Sequence, residues 1–60
     1  MDMTNEELRE TAMKALWNAQ QNGDTEAAHG YADSALCDLL VGLGYADVVT
    51  EFDKVEKWYA

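Results

Sequence analysis

The stretch from Thr25 to Tyr45, TEAAHGYADSALCDLLVGLGY, decides the fold because it has the pattern of one long helix with a clear start and end. Asp24 or Thr25 can cap its first turn. Its apolar residues recur at the three- and four-residue spacing of one helix face: Ala28, Ala32, Ala35, Leu36, Leu39, Leu40 and Leu43. Gly44 suits the left-handed position that ends a helix, followed by Tyr45 in a Schellman turn. We predict a helix over 25–43.

The segment before this helix also begins with a strong helix signal. Thr4 and Glu7 have the spacing of a capping box, and Met3 and Leu8 are placed as a hydrophobic staple. The predicted buried face continues through Ala12, Ala15, Leu16 and Ala19. Asn22-Gly23 is typical of a helix end, with Gly23 in the left-handed conformation. We predict a helix over 5–22.

The segment after Gly44 predicts a third helix over 46–59. Its buried stripe is expected to consist of Val48, Phe52, Val55 and Tyr59. Lys54 and Lys57 lie near its end, where the helix dipole favours cations. Because short connections make neighbouring helices antiparallel, the sequence predicts one all-α domain over 1–60, a compact three-helix up-down-up arrangement.

The composition excludes several classes of function. Four Lys and Arg against twelve Asp and Glu give a net charge of −8, which opposes binding to nucleic-acid phosphates or anionic lipid. One Cys and one His cannot form an intrachain disulfide or a four-ligand zinc site. No apolar run reaches the roughly 20 residues of a membrane span, and no signal peptide is visible. We expect a cytoplasmic protein without cofactor or metal.

Two apolar side chains of the first helix lie away from its predicted core face. Met13 and Trp17 are one turn apart, and Trp and Met are enriched at protein interfaces. They predict an interface, although Trp17 would cover the edge of the helices if helix 1 were rolled. Tyr31 and Trp58 are further candidates for contact with a partner.

A second pattern on helix 2 consists of small residues at alternating three- and four-residue steps. These are Ala27, Gly30, Ser34, Cys37 and Val41. The spacing is that of a helix-packing seam, and Gly30 costs about 1 kcal/mol relative to Ala inside a helix. Two interpretations stay open: a homodimer seam, or a central helix 2 whose two sides both pack within the chain. So small a chain is marginally stable alone, which favours self-association.

Two other motifs on helix 2 have a structural interpretation. His29, Asp33 and Cys37 line up at four-residue steps, but the His and Cys lie about 12 Å apart, too far for a nucleophilic pair. We expect His29 to hydrogen-bond to Asp33. The L-x-x-L-L spacing of residues 36–40 resembles a helix-in-groove ligand, and we assign its leucines to the core. No catalytic motif is present, and we expect no enzymatic activity.

Many of the acidic residues lie in a long stretch of the chain that contains no Lys or Arg. No Lys or Arg lies between Lys14 and Lys54, whereas Asp33 and Asp38 lie within helix 2. Such a field attracts basic surfaces, so one hypothesis is an acidic decoy for a nucleic-acid-binding protein. The alternative is that the charge serves solubility alone.

Two resemblances extend this interpretation. Gly23, Asp24, Ala28, Ala35 and Leu36 are similar to the turn and second helix of a tetratricopeptide repeat, which implies a helical hairpin. The pattern from Ala32 to Ala60, including the Leu43-Gly44-Tyr45 turn, resembles short acidic helical proteins of phages and prophages. That resemblance implies an accessory factor that inhibits or modulates a host protein in the host cytosol. The alternative is an assembly adaptor that homo-oligomerises and binds a protein from its own genome.

Overall fold

The computed structural model describes residues 3–56, and its first helix, α1, spans Asn5–Gln20. The predicted capping box is confirmed. The Thr4 backbone N–H donates to Glu7 Oε1 at 2.8 Å, and the Glu7 N–H donates to Thr4 Oγ1 at 3.1 Å. The bond from the Thr4 backbone N–H to the Glu7 carboxylate, followed by the interaction of the Thr4 hydroxyl with the same carboxylate, lowers the pKa of Glu7 below its ordinary value. The start of α1 is therefore determined by local hydrogen bonds.

The turn between the first two helices differs from the prediction for Gly23. α1 ends two residues earlier than predicted, with Gln21 as its C-cap, and Gly23 does not have a positive φ. Instead, Asn22 Oδ1 accepts a hydrogen bond from the Asp24 N–H at 2.8 Å. A side-chain bond makes this reversal, so the left-handed glycine is not required there.

The second helix, α2, spans Thr25–Gly42. Asp24 is its N-cap and accepts from the backbone N–H groups of residues 26 and 27. At the other end the predicted Schellman turn is confirmed. Gly44 has a φ of 96°, and the Tyr45 N–H donates to the Leu40 carbonyl at 2.8 Å. The Gly44 N–H completes the motif by donating to the Val41 carbonyl at 3.0 Å.

The third helix, α3, spans Ala46–Asp53 and is shorter than the predicted 46–59. Lys54 and Val55 donate their N–H groups to carbonyls three residues earlier, at 3.2 and 3.0 Å. This is the tighter geometry in which a helix ends. Lys57 and Tyr59, which the prediction included in this helix, lie outside the described residues.

The helices pack in the order of the chain. α1 packs on α2 and α2 on α3, whereas α1 and α3 are not in contact. The all-α, three-helix prediction is confirmed, and the structure adds that the helices form an open layer with α2 in the middle. Within residues 3–56, none of the helices has both the length and the apolar character needed to cross a bilayer.

The core between the helices is small, because α1 and α3 are the neighbours of α2 among the described helices and each covers one side of it. The buried apolar residues of the described chain are Leu8, Ala12, Ala19 and Ala35. Ala15, Leu16, Ala28, Ala32, Leu39 and Leu40 are half-buried. The prediction of buried side chains was wrong for five exposed residues: Leu36, Leu43, Val48, Phe52 and Val55. Leu36 and Leu43 lie between the two packed sides of α2, where neither α1 nor α3 covers them.

Candidate functional site

The groove between α2 and α3 holds most of the small-residue pattern of helix 2. It has a volume of about 410 Å³. We call it the acidic groove, and it is lined by Gly30, Asp33, Ser34, Cys37, Asp38, Val41, Val49, Phe52 and Asp53. Four of the five seam residues therefore lie on the side of α2 next to α3, although Gly30, Ser34 and Val41 are exposed there. This arrangement matches the interpretation in which helix 2 packs on both of its sides within the chain.

The space above Gly30 remains open although α3 lies beside it. A Cβ at Gly30 would meet no atom within 4 Å. Close packing against this glycine, which its cost inside a helix predicted, is therefore not provided by any of the residues from 3 to 56. The side chains of Ser34 and Cys37 are also small, so small residues form the bottom of the acidic groove along α2.

A neighbouring groove lies between α1 and α2. Its lining includes Ala15 and Ala19 of α1 together with Tyr31 of α2, whose side chain is 59% exposed. Ser34 and Asp38 line both grooves and form the ridge between them. The two grooves therefore open on the same face of the helix layer.

The two candidate interface residues of α1 lie on a different part of the surface. Met13 is 60% exposed and Trp17 is 59% exposed. Trp17 follows the buried Ala12 by five residues, which places it about 140° around α1 from the side that faces α2. Neither residue lines the acidic groove. The alternative in which a rolled helix 1 buries Trp17 does not occur.

The acidic groove carries negative charge without a cation in its lining. Asp33, Asp38 and Asp53 line it, and none of its lining residues is Lys or Arg. Lys54 follows Asp53 in the chain, but its Nζ lies 2.6 Å from Glu51 Oε2. Asp53 is also the last residue of α3, where the helix dipole adds negative potential. The groove therefore combines an apolar floor with a negative rim.

The row of His29, Asp33 and Cys37 is divided between surface and groove. His29 is exposed, whereas Asp33 and Cys37 are half-buried and line the acidic groove. The described residues contain no group of three His, Cys, Asp or Glu side chains that could hold a metal ion. The bond predicted between His29 and Asp33 remains a prediction.

The structure brings together some of the predicted site residues and separates others. Gly30, Ser34, Cys37, Asp38 and Val41 meet in the acidic groove. Ala27 is half-buried in the first turns of α2. Trp58 lies outside the described residues.

Sequence reasoning missed the α3 side of the acidic groove. It left Val49 and Asp53 without a role, and it assigned Phe52 to the core. The signal was present, because these residues recur at three- and four-residue steps along α3 and share one face.

Comparison with known proteins assigns no relative to the chain. No family model, curated protein or solved structure matches it.

Proposed function

We propose that this chain is a small, acidic, non-enzymatic protein that acts by binding another protein. Its role is that of a phage-like accessory factor, which inhibits or modulates a host protein in the host cytosol. The observation that carries the proposal is the exposure of Trp17, at 59%, beside Met13, at 60%. A Trp held on a helix surface is a frequent binding hot spot, since its large ring gains most when a partner covers it.

The charge distribution supports a partner with a basic surface. Seven carboxylates lie between Lys14 and Lys54 without an intervening Lys or Arg. Complementary charge speeds encounter and excludes acidic partners. A basic surface built for nucleic acid fits this field, and the chain then acts as a decoy for that surface.

A pull-down from host lysate tests the proposal. Wild type and Trp17→Ala are compared side by side, with Val48→Ala as the matched control because Val48 is similarly exposed at 51% but lies on α3. We expect a host protein that wild type and Val48→Ala retain and Trp17→Ala loses, as read by mass spectrometry. Raising the salt concentration is expected to weaken its capture. Equal recovery of the host protein by the wild type, Trp17→Ala and Val48→Ala would contradict the role of Trp17.

A second candidate function is an assembly adaptor that forms a homodimer. The open space beside Gly30 favours it, because a glycine that costs stability inside a helix is explained if a second chain packs against it. The net charge of −8 opposes it, since two copies repel each other. Sedimentation of wild type and Gly30→Leu separates the two candidates.

A further inference from the structure

The acidic groove is long enough along α2 for a short helix to lie over it. Along α2 it extends from Gly30 to Val41, eleven residues or about 16 Å. That length matches about three helical turns of a partner. Open space lies above Gly30, and Phe52 on the opposite wall is 38% exposed. The apolar side chains of a partner would thus lie over small residues on the α2 side and against the ring of Phe52 on the α3 side.

The charges around the acidic groove specify the chemistry of its occupant. Asp38 and Asp53 are exposed at its edges, and Asp33 is half-buried within its lining. An acidic or neutral helix placed there would leave the exposed carboxylates of Asp38 and Asp53 without compensation. A helix with Lys and Arg beside its apolar stripe would pair with them while its stripe covers the floor.

A second copy of this chain does not meet that requirement. Its described helices carry Arg9 and Lys14, both on α1, and Arg9 Nη1 already lies 3.4 Å from Glu6 Oε1. A second copy would also bring its own net charge of −8. The charge complementarity therefore favours a different protein.

We infer that the acidic groove binds a basic amphipathic helix of a partner protein, with the partner's apolar stripe against Val41 and Phe52 and its cations against Asp38 and Asp53. This inference rests on the proposed function and adds a second contact region, apart from Trp17, together with the chemical class of the partner segment that it binds.

A synthetic peptide of about 16 residues serves as the probe, with leucines at i, i+3, i+4 and i+7 and with Lys or Arg at the flanking positions. A scrambled peptide of equal composition controls for charge alone. We expect saturable binding of the amphipathic peptide by fluorescence anisotropy, and at least about tenfold weaker binding of the scrambled one.

Paired variants locate the binding site. Asp38→Asn with Asp53→Asn removes two charges at the acidic groove, and Glu10→Gln with Glu26→Gln removes two outside it. We expect the first pair to weaken binding about tenfold or more and the second pair about twofold. Phe52→Ser is expected to weaken binding, whereas Val48→Ser, on the same helix outside the groove, leaves it unchanged. Circular dichroism verifies that each variant is folded.

The outcomes separate this inference from the proposed function. Equal losses with both charge pairs, or no binding of the amphipathic peptide, would overturn the groove inference, and the pull-down with Trp17→Ala would still decide the proposed function. A wild-type dimer that Asp38→Asn with Asp53→Asn leaves intact and Gly30→Leu dissociates would assign the groove to a second copy and overturn the inference as well. Loss of peptide binding in Trp17→Ala, with the groove variants unaffected, would place the peptide on α1.

Discussion

Gly42 of α2 lies directly against Leu8 of α1, one of the few buried side chains of the described chain. A Cβ at Gly42 would overlap Leu8 Cδ2 and would lie 3.0 Å from Cδ1 and 3.3 Å from Cγ. The contact joins the first turn of α1 to the last turn of α2. The two antiparallel helices approach closely there because Gly42 has no side chain.

Gly42→Ala is therefore expected to destabilise the chain by about 1 kcal/mol or more. The added methyl group requires the end of the Leu8 side chain to shift, and Leu8 is buried, so the packing around it opposes that shift. Gly30→Ala is the matched control. Its Cβ enters open space, and it is expected to stabilise α2 by up to about 1 kcal/mol.

Urea denaturation followed by circular dichroism measures both effects. The double variant Leu8→Ala with Gly42→Ala is expected to be less unstable than the sum of the single changes, because removing the Leu8 side chain makes room for the new methyl group. Stabilisation by Gly42→Ala equal to that by Gly30→Ala would contradict the described approach of the two helices.

The capping box predicts a pH-dependent contribution from Glu7. Its pKa is lowered in the folded chain by the hydrogen bond from the Thr4 backbone N–H and then by the bond with the Thr4 hydroxyl. The charged form is thus favoured by folding, so the contribution is present above the ordinary pKa of 4.5 and is lost as the pH falls through the lowered value. We expect wild type to be more stable than Glu7→Gln at neutral pH and the difference to vanish in strong acid.

Thermal unfolding at a series of pH values measures this difference. Glu10→Gln removes one negative charge from α1 at a position outside the capping box and controls for net charge. Thr4→Ala is expected to cost about 1 kcal/mol, because it leaves the Glu7 backbone N–H without its acceptor. A constant difference between wild type and Glu7→Gln across the pH range would argue against a charged capping box.

The turn after α2 predicts a specific cost at Gly44. Its φ of 96° lies in the left-handed region, so Gly44→Ala is expected to destabilise the chain by about 1–2 kcal/mol although the added methyl group meets no neighbour. Gly23→Ala, in the turn without a positive φ, is the control and is expected to be close to neutral. Equal effects of the two substitutions in urea denaturation would contradict the Schellman turn.

Trp17 provides an optical test of the proposed interface. In a Trp58→Phe background it is the single indole, and its exposure of 59% predicts water-like fluorescence emission in the isolated chain. Binding of the host partner is expected to shift the emission to the blue as the ring loses water. A blue-shifted maximum in the free monomer would remove Trp17 as an available anchor.

The homodimer candidate makes a separate prediction about mass. If a second copy packs against Gly30, wild type sediments as a dimer and Gly30→Leu as a monomer. Added salt would strengthen the dimer, because it screens the repulsion between two chains of charge −8. Monomers in both cases at all salt concentrations would exclude this candidate.

The sequence alone determined the local features of this protein. The capping box at Thr4, the turn at Gly44 and the existence of three helices follow from interactions within a few residues, so propensity and spacing were sufficient to predict them. The end of α3 was harder to predict from the sequence, because the last turn of a short helix depends on the residues that pack against it.

Only the tertiary structure decided which faces of these helices are covered. The apolar stripe of α2 is wide enough to allow several arrangements of the neighbouring helices. Its periodicity does not determine how many helices pack against α2. Packing α1 and α3 on opposite sides of α2 left Leu36 and Leu43 exposed and turned the small-residue seam into one wall of the acidic groove. The other wall, from Val49 to Asp53, comes from a different helix, and contacts between distant segments depend on the packing of the whole chain.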